Sequence, residues 1–186
     1  MNILLFEASE LDGARLHITD TRSTHIRQVL GLKEGDSLRI GMVNGRVGQG
    51  EVVQINNDGV ELAVLLDREP LPAPPVELIL ALPRPIMLKR ILKQGATMGI
   101  SRLHLIRSAK VEKSFFHSPV LEPEKVREHL LEGLTQAAVD TCLPEVSLYH
   151  RFKPFIQDVV PALKGRRLIA HPGLAATLPE VAANLE

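Results

Sequence analysis

A chain of 186 residues has room for one large or two small domains, at the usual ~100–200 residues each. Its 45% apolar and 24% charged content is ordinary for a protein that builds a core, and 22 Lys and Arg balance 22 Asp and Glu, so net charge names no partner. The single cysteine, Cys142, excludes an internal disulfide framework and any Cys-based zinc cluster. The start, MNILLFEASE, lacks the basic-then-apolar pattern of a signal peptide, and no stretch approaches the ~18 apolar residues of a membrane span. A cytoplasmic protein is the expectation.

In chain order, NILLFE, RLHIT, SLRIGMV, VGQGEVVQI and GVELAVLLD are short β-rich runs separated by turn chemistry. Asn44-Gly45 and Asn57-Asp58-Gly59 supply residues that tolerate the positive φ of tight turns. One helix interrupts them: Asp20 or Thr21 caps it, Ile26, Val29 and Leu30 form its apolar face, and Gly31 ends it. Five strands and a helix predict a small barrel-like domain over 1–67. REPLPAPP, with its four prolines, reads as a stiff linker over 68–75.

Beyond the linker, over 76–186, the rhythm changes. VELILAL reads as a strand buried on both faces, MLKRILKQGATMG as a helix with Leu88, Ile91, Leu92 and Ala96 on one side, and SRLHLIRS as a second strand. A longer helix is predicted from about Glu122 to Ala138, with Pro123 in its first turn, then a short helix in KPFIQDVVPALKG and a last strand in RRLIAHP. Strand–helix alternation indicates βαβ units on a parallel sheet.

Charge is unevenly placed. Through residue 68, seven bases face ten acids; between positions 84 and 113, Arg84, Lys89, Arg90, Lys93, Arg102, Arg107, Lys110 and Lys113 face only Glu112. A local field of this kind suits a phosphate backbone, whose condensed counterions are released on binding, although a solvated helix face would read the same way. Aromatic residues are 3% of the chain and Trp is absent, so an extensive stacking platform is not expected. The seven histidines show no i,i+4 pair and no HExxH, which argues against a metal site. There is no GxSxG elbow, GxGxxG fingerprint or Walker sequence, and Cys142 reads as an apolar filler. Spacing alone identifies no catalytic machinery. His171-Pro172-Gly173 follows the apolar LIA, where ligands bind in open α/β sheets, or simply ends a strand.

The order of THIRQVLGLKEGDSLRI, LPRPIMLKRILKQGATMGISRLHLIRSAKVEKS, a helix ending DTCLPEV, and LIAHP resembles the RsmE family, over essentially the whole chain. The resemblance implies a PUA-like RNA-binding barrel followed by a SPOUT-class α/β domain with a C-terminal knot. It also implies methyl transfer from S-adenosylmethionine to N3 of a uridine in 16S ribosomal RNA, by a homodimer. His25 and Val29-Leu30 match the family's His-x-x-x-Val-Leu, with Gly31 where Arg is usual. Arg84 falls on its basic residue after the first α/β strand. Gly99-Ile100 end its Glu-Leu-Gly-Val, with Thr97-Met98 for Glu-Leu. Ser108 and Lys110 fall on its Ser-x-Arg, and near Gln136 the Glu of its Glu-Gln is absent. Charge pattern and resemblance together nominate Arg22, His25, Arg27, Arg84, Lys89, Arg90, Lys93, Lys110 and Lys113 as RNA contacts, and His171, Pro172 and Gly173 at the rim of the donor pocket.

The family's Gly-Pro-Glu-Gly-Gly and Arg-Ile-Leu-Arg-x-Glu-Thr segments, its knot and its catalytic arginine are expected beyond Glu186. The chain therefore reads as a truncated member, inactive without the knot: a partial SPOUT domain that binds RNA weakly and the donor poorly or not at all, with an apolar sheet edge left open. Two alternatives stand beside this reading. One is a non-catalytic RNA-binding module; the other is a small α/β interaction protein whose basic helix binds an acidic partner.

Overall fold

The computed structural model describes residues 2–72, 74–137 and 141–170, together with 177 and 180. The chain divides into two compact units, Met1–Phe152 and Lys153–Glu186.

The first unit holds two sheets. Six strands form the first: β1 (Leu4–Phe6), β2 (Leu11–Asp12), β3 (Arg15–Ile18), β4 (Ser37–Met42), β5 (Val47–Ile55) and β6 (Val60–Arg68). They run in the order β1-β4-β5-β6-β3-β2, antiparallel except for the parallel β1–β4 pair. The β4–β5 turn places Asn44 at φ 56, the left-handed conformation that Asn tolerates better than most residues. In the β5–β6 turn, the Asn56 side-chain oxygen accepts from the backbone N–H groups of Asp58 and Gly59. Leu4, Phe6, Leu16, Ile18, Ile40 and Leu62 fill the core of this sheet.

The helical interruption is α1 (Thr21–Thr24), capped by Asp20, whose carboxylate accepts from Arg22 N–H at 2.8 Å. It continues as a π-helical run, His25–Leu30, closed by Gly31 at φ 64. This corrects the expected apolar face. Ile26 is buried, but Val29 is 68% and Leu30 39% exposed. The wider π turn breaks the 3.6-residue period from which that face was read.

The second sheet is parallel, in the order β7 (Glu77–Ala81), β8 (Arg102–Ile106), β9 (Glu145–Tyr149). α2 (Pro85–Thr97) and α3 (Pro123–Leu134) are its crossover helices, and they pack on one another. Gly133 permits their close approach, because a Cβ there would run into the Lys93 carbonyl oxygen. Leu88, Leu92 and Ala96 are buried at helical spacing, and Leu103 and Leu105 meet them from β8. β9 was not anticipated: its alternating VSLY is short and follows directly on Pro144.

β7 departs from expectation. Its apolar run was read as buried on both faces, yet Leu78 is 36% and Ile79 41% exposed. β7 is an edge strand, and among the described residues no strand pairs with its outer side. Residues 166–170, expected as a strand, form none.

Residues before and after the proline-rich segment share a core. Ile3, Leu5 and Val47 pack in one cluster with Leu88, Leu92, Leu103, Leu130 and Leu134. β1 is thus buried on both faces, Leu4 and Phe6 toward one core and Leu5 toward the other. Backbone bonds reinforce the junction. Asn2 N–H donates to Thr135 O at 2.7 Å, and Asn44 N–H to Thr141 O at 2.8 Å. The Asn44 side chain in turn accepts from Leu143 N–H at 2.8 Å.

In the second unit, Phe155–Val159 is π-helical and Val160–Ala162 a 3-10 turn, and the Arg167 guanidinium donates to the carbonyls of Pro161 and Leu163.

Candidate nucleic-acid interface

In a parallel sheet all strands end on the same side, and ligands of open α/β sheets bind beyond those carboxyl ends. Here the register aligns Ala81, Ile106 and Tyr149 across β7, β8 and β9. Two backbone bonds extend the ladder past the strands, from Leu82 N–H to Ile106 O at 2.9 Å and from Arg107 N–H to Tyr149 O at 3.0 Å. The rim therefore consists of the 82–84 turn, the loop from Arg107 to Lys113, and His150-Arg151.

Cations dominate this rim. Arg84 is the N-cap residue of α2, Lys89 and Arg90 sit in its first two turns, and Lys110 and Lys113 lie on the loop after β8. All five are exposed, and none makes an ion pair among the described residues. Arg107, which was counted in the charge cluster but not nominated, belongs to the same rim, half-buried and likewise without an ion pair there. The N-terminus of α2 adds the positive end of a helix dipole.

Other nominated residues are placed differently. Lys93 is ion-paired to Glu132 of α3. Arg22 turns inward: its guanidinium donates to Asp20 at 2.6 Å, to Glu10, and to the Leu5 carbonyl at 2.9 Å. Burial works against that charge, but the bonds to Asp20 and Glu10 outweigh it and hold the guanidinium above its ordinary range. Arg27 donates to Asn56 O at 2.9 Å, while its Nε and His25 Nε2 are buried with no hydrogen-bond partner among the described residues. No hydrogen bond or ion pair among the described residues links the 21–30 helical run to the rim. His171, Pro172 and Gly173 lie outside the described residues.

The Arg22 cluster has a pH consequence. Its hydrogen bonds hold the carboxyls of Glu10 and Asp20 below their ordinary 4.5 and 3.8. A folded-state pKa lowered in this way gives stability that is present above the unfolded pKa and lost as pH falls through the folded one. We expect Arg22→Ala to lower stability by about 1–3 kcal/mol at neutral pH. The gap from the wild type should narrow below about pH 4, because acid removes the same interaction. Urea midpoints across pH 2–7 would measure it; parallel curves would show that the cluster is not responsible.

The opposite face of the second sheet carries a polar cluster that sequence reading missed. His104, 1% exposed, shares a hydrogen bond with Glu77 at 2.7 Å through Nε2 and one with the Tyr149 hydroxyl at 3.3 Å through Nδ1. Arg102 is paired to Glu145 at 2.6 Å beside it. Alternation along β8 was the available signal, since it sends Leu103 and Leu105 one way and His104 the other. Among the described residues no three His, Cys, Asp or Glu side chains could hold a metal, and no helix is long and apolar enough to cross a membrane.

A family model for an RNA methyltransferase domain matches residues 69–186, and one for an RNA methyltransferase PUA domain matches residues 18–65. The chain belongs to the family of RNA methyltransferases that this domain model describes. The ribosomal RNA small subunit methyltransferase E of Treponema pallidum is 34% identical over 159 residues, covering 83% of this chain and 59% of its own length. Ribosomal RNA small subunit methyltransferase E 1 of Borreliella burgdorferi is 23% identical over 159 residues, covering 86% of this chain and 66% of its own. The crystal structure of the Neisseria gonorrhoeae methyltransferase E, bound to S-adenosyl methionine, superposes with a TM-score of 0.58 at 13% identity. It matches 79% of this chain and 62% of that one, and the likeness is one of fold. This RNA methyltransferase family member thus combines a PUA-like sheet with a methyltransferase-type α/β sheet and spans less than two thirds of these relatives' length.

Proposed function

We propose that this protein binds small-subunit ribosomal RNA and serves methyl transfer from S-adenosylmethionine to N3 of a uridine, in the cytoplasm and as a homodimer. The observation that carries the RNA part is the rim, where Arg84, Lys110 and Lys113 stand exposed at the carboxyl ends of a parallel sheet, with Lys89 and Arg90 exposed on the helix that leaves it. The methyl-transfer part is supported by family membership and by the donor named for the Neisseria structure. When bound, the donor supplies an electrophilic methyl group on a sulfonium. A sulfonium is itself a cation, so the rim suits the polyanion rather than the donor, and the donor seat is proposed at residues 171–173 instead. Within the first unit the chain's own part is to bind and orient the RNA, so that the uracil is presented in one geometry.

The Arg22 cluster is assigned to stability, and Lys93 to the α2–α3 contact. His25 and Arg27, each with a buried nitrogen that has no hydrogen-bond partner among the described residues, stay in the proposed RNA set as a second patch on the helical run beside the PUA-like sheet. The test is a filter assay with tritiated S-adenosylmethionine and small-subunit RNA. Salt-dependent RNA binding with transfer to a uridine N3 is expected of the family activity. RNA binding without transfer by these 186 residues supports the RNA part alone, and absence of RNA binding at low salt overturns the proposal.

A further inference from the structure

The cations of the rim account for backbone recognition and leave open how the RNA is read once there. Aromatic side chains are few, yet two rings meet at this place. Phe116 lies in the 3-10 turn Lys113–His117 that ends the basic loop, and His150 follows β9 directly. Their centroids are 5.0 Å apart and their planes inclined by 41°. Phe116 is half-buried and anchored on the second sheet's core, whereas His150 is exposed. One ring is therefore fixed by packing and the other held against it at the surface.

The surroundings define a ligand. The bond from Arg107 N–H to Tyr149 O puts the start of the basic loop beside the residue preceding His150. Lys110 and Lys113 lie between Arg107 and Phe116 on that loop, and Arg151 follows His150. Lys110, Lys113 and Arg151 are exposed, and none of these four cations is ion-paired among the described residues. An exposed ring with an apolar face, set among unpaired cations, suits a flat heteroaromatic attached to a phosphodiester chain. In a duplex both base faces are already stacked, so the fit is to an unpaired base.

We propose that His150, supported by Phe116, forms a stacking site for one unpaired RNA base whose flanking phosphates lie on Arg107, Lys110, Lys113 and Arg151. This rests on the RNA-binding reading above and adds strand selectivity to it. The site would make the protein prefer a loop or bulge over a continuous helix, through a contact that salt does not screen.

The experiment compares a single-stranded oligouridine with an abasic strand of equal length and charge. His150→Ala is expected to weaken oligouridine binding about tenfold, leave the abasic strand unaffected, and preserve the salt slope. His150→Phe should retain most of the affinity, because it keeps a ring. Phe116→Leu, which preserves apolar volume, should show a partial loss. A thermal midpoint for each variant confirms the fold. Unchanged oligouridine binding by His150→Ala, or an equal loss on the abasic strand, overturns the stacking site. If the wild type binds neither strand, the RNA-binding proposal itself fails.

Discussion

The triple variant Arg84→Ala/Lys110→Ala/Lys113→Ala is expected to bind single-stranded RNA roughly 10- to 100-fold more weakly than the wild type at moderate salt. The physical basis is counterion release. Each phosphate neutralised on a single strand contributes about 0.7 to the slope of log affinity against log salt, so three lost contacts should flatten that slope by about 2. The three residues come from two segments of the chain, Arg84 before α2 and the lysines after β8, and the parallel register brings those segments to one rim. Lys93→Ala is the control: its ammonium is already paired with Glu132, and its loss should cost the RNA little. Fluorescence anisotropy over a salt series reads both quantities. An unchanged slope in the triple variant would mean that the rim carries no phosphate, whatever its charge.

Leu92→Ala should destabilise the first unit by about 2–5 kcal/mol, the usual cost of emptying a buried leucine site. Leu92 is fully buried in the cluster that also contains Ile3, Leu5 and Val47. The damage should therefore reach across the proline-rich segment. Amide exchange is expected to rise together in β1, β4 and α2, within a single cooperative transition. Exchange rising in α2 alone, with β1 and β4 still protected, would show that the two sheets fold independently.

Much of the fold was legible because local chemistry and tertiary packing agree. Asn44-Gly45 marks a turn, Pro85 opens α2, and Leu88, Leu92 and Ala96 keep the period of a buried helical face. Legibility failed where tertiary context decides. Val29 and Leu30 carry the residue types of an apolar face, but the π-helical turn points them outward. VELILAL has the composition of a central strand, and composition says nothing of which strands flank it; β7 stands at an edge. For the site, sequence reading located the basic residues but could not sort them. Arg22 and Lys93 look like the others until the carboxylates of Glu10, Asp20 and Glu132 are seen beside them. Phe116 and His150 are 34 positions apart, and they meet through the parallel pairing of β8 with β9 and the packing of Phe116 on the core.

The backbone bonds from Asn2 to Thr135 and from Asn44 to Thr141 bear on how two weak surfaces act together. Where modules hang on a flexible tether, the second contact is made at an effective concentration diluted by every orientation the tether allows. Here the PUA-like sheet and the α/β sheet share a core and are joined by these backbone bonds, so little orientational entropy would remain to be lost if both engaged an RNA. On the proposed RNA-binding reading, an RNA whose shape matches that arrangement would gain avidity from two modest patches, and one that does not match would touch only one of them. Selection among RNA sites would then come from shape, at a distance set by the protein's own backbone.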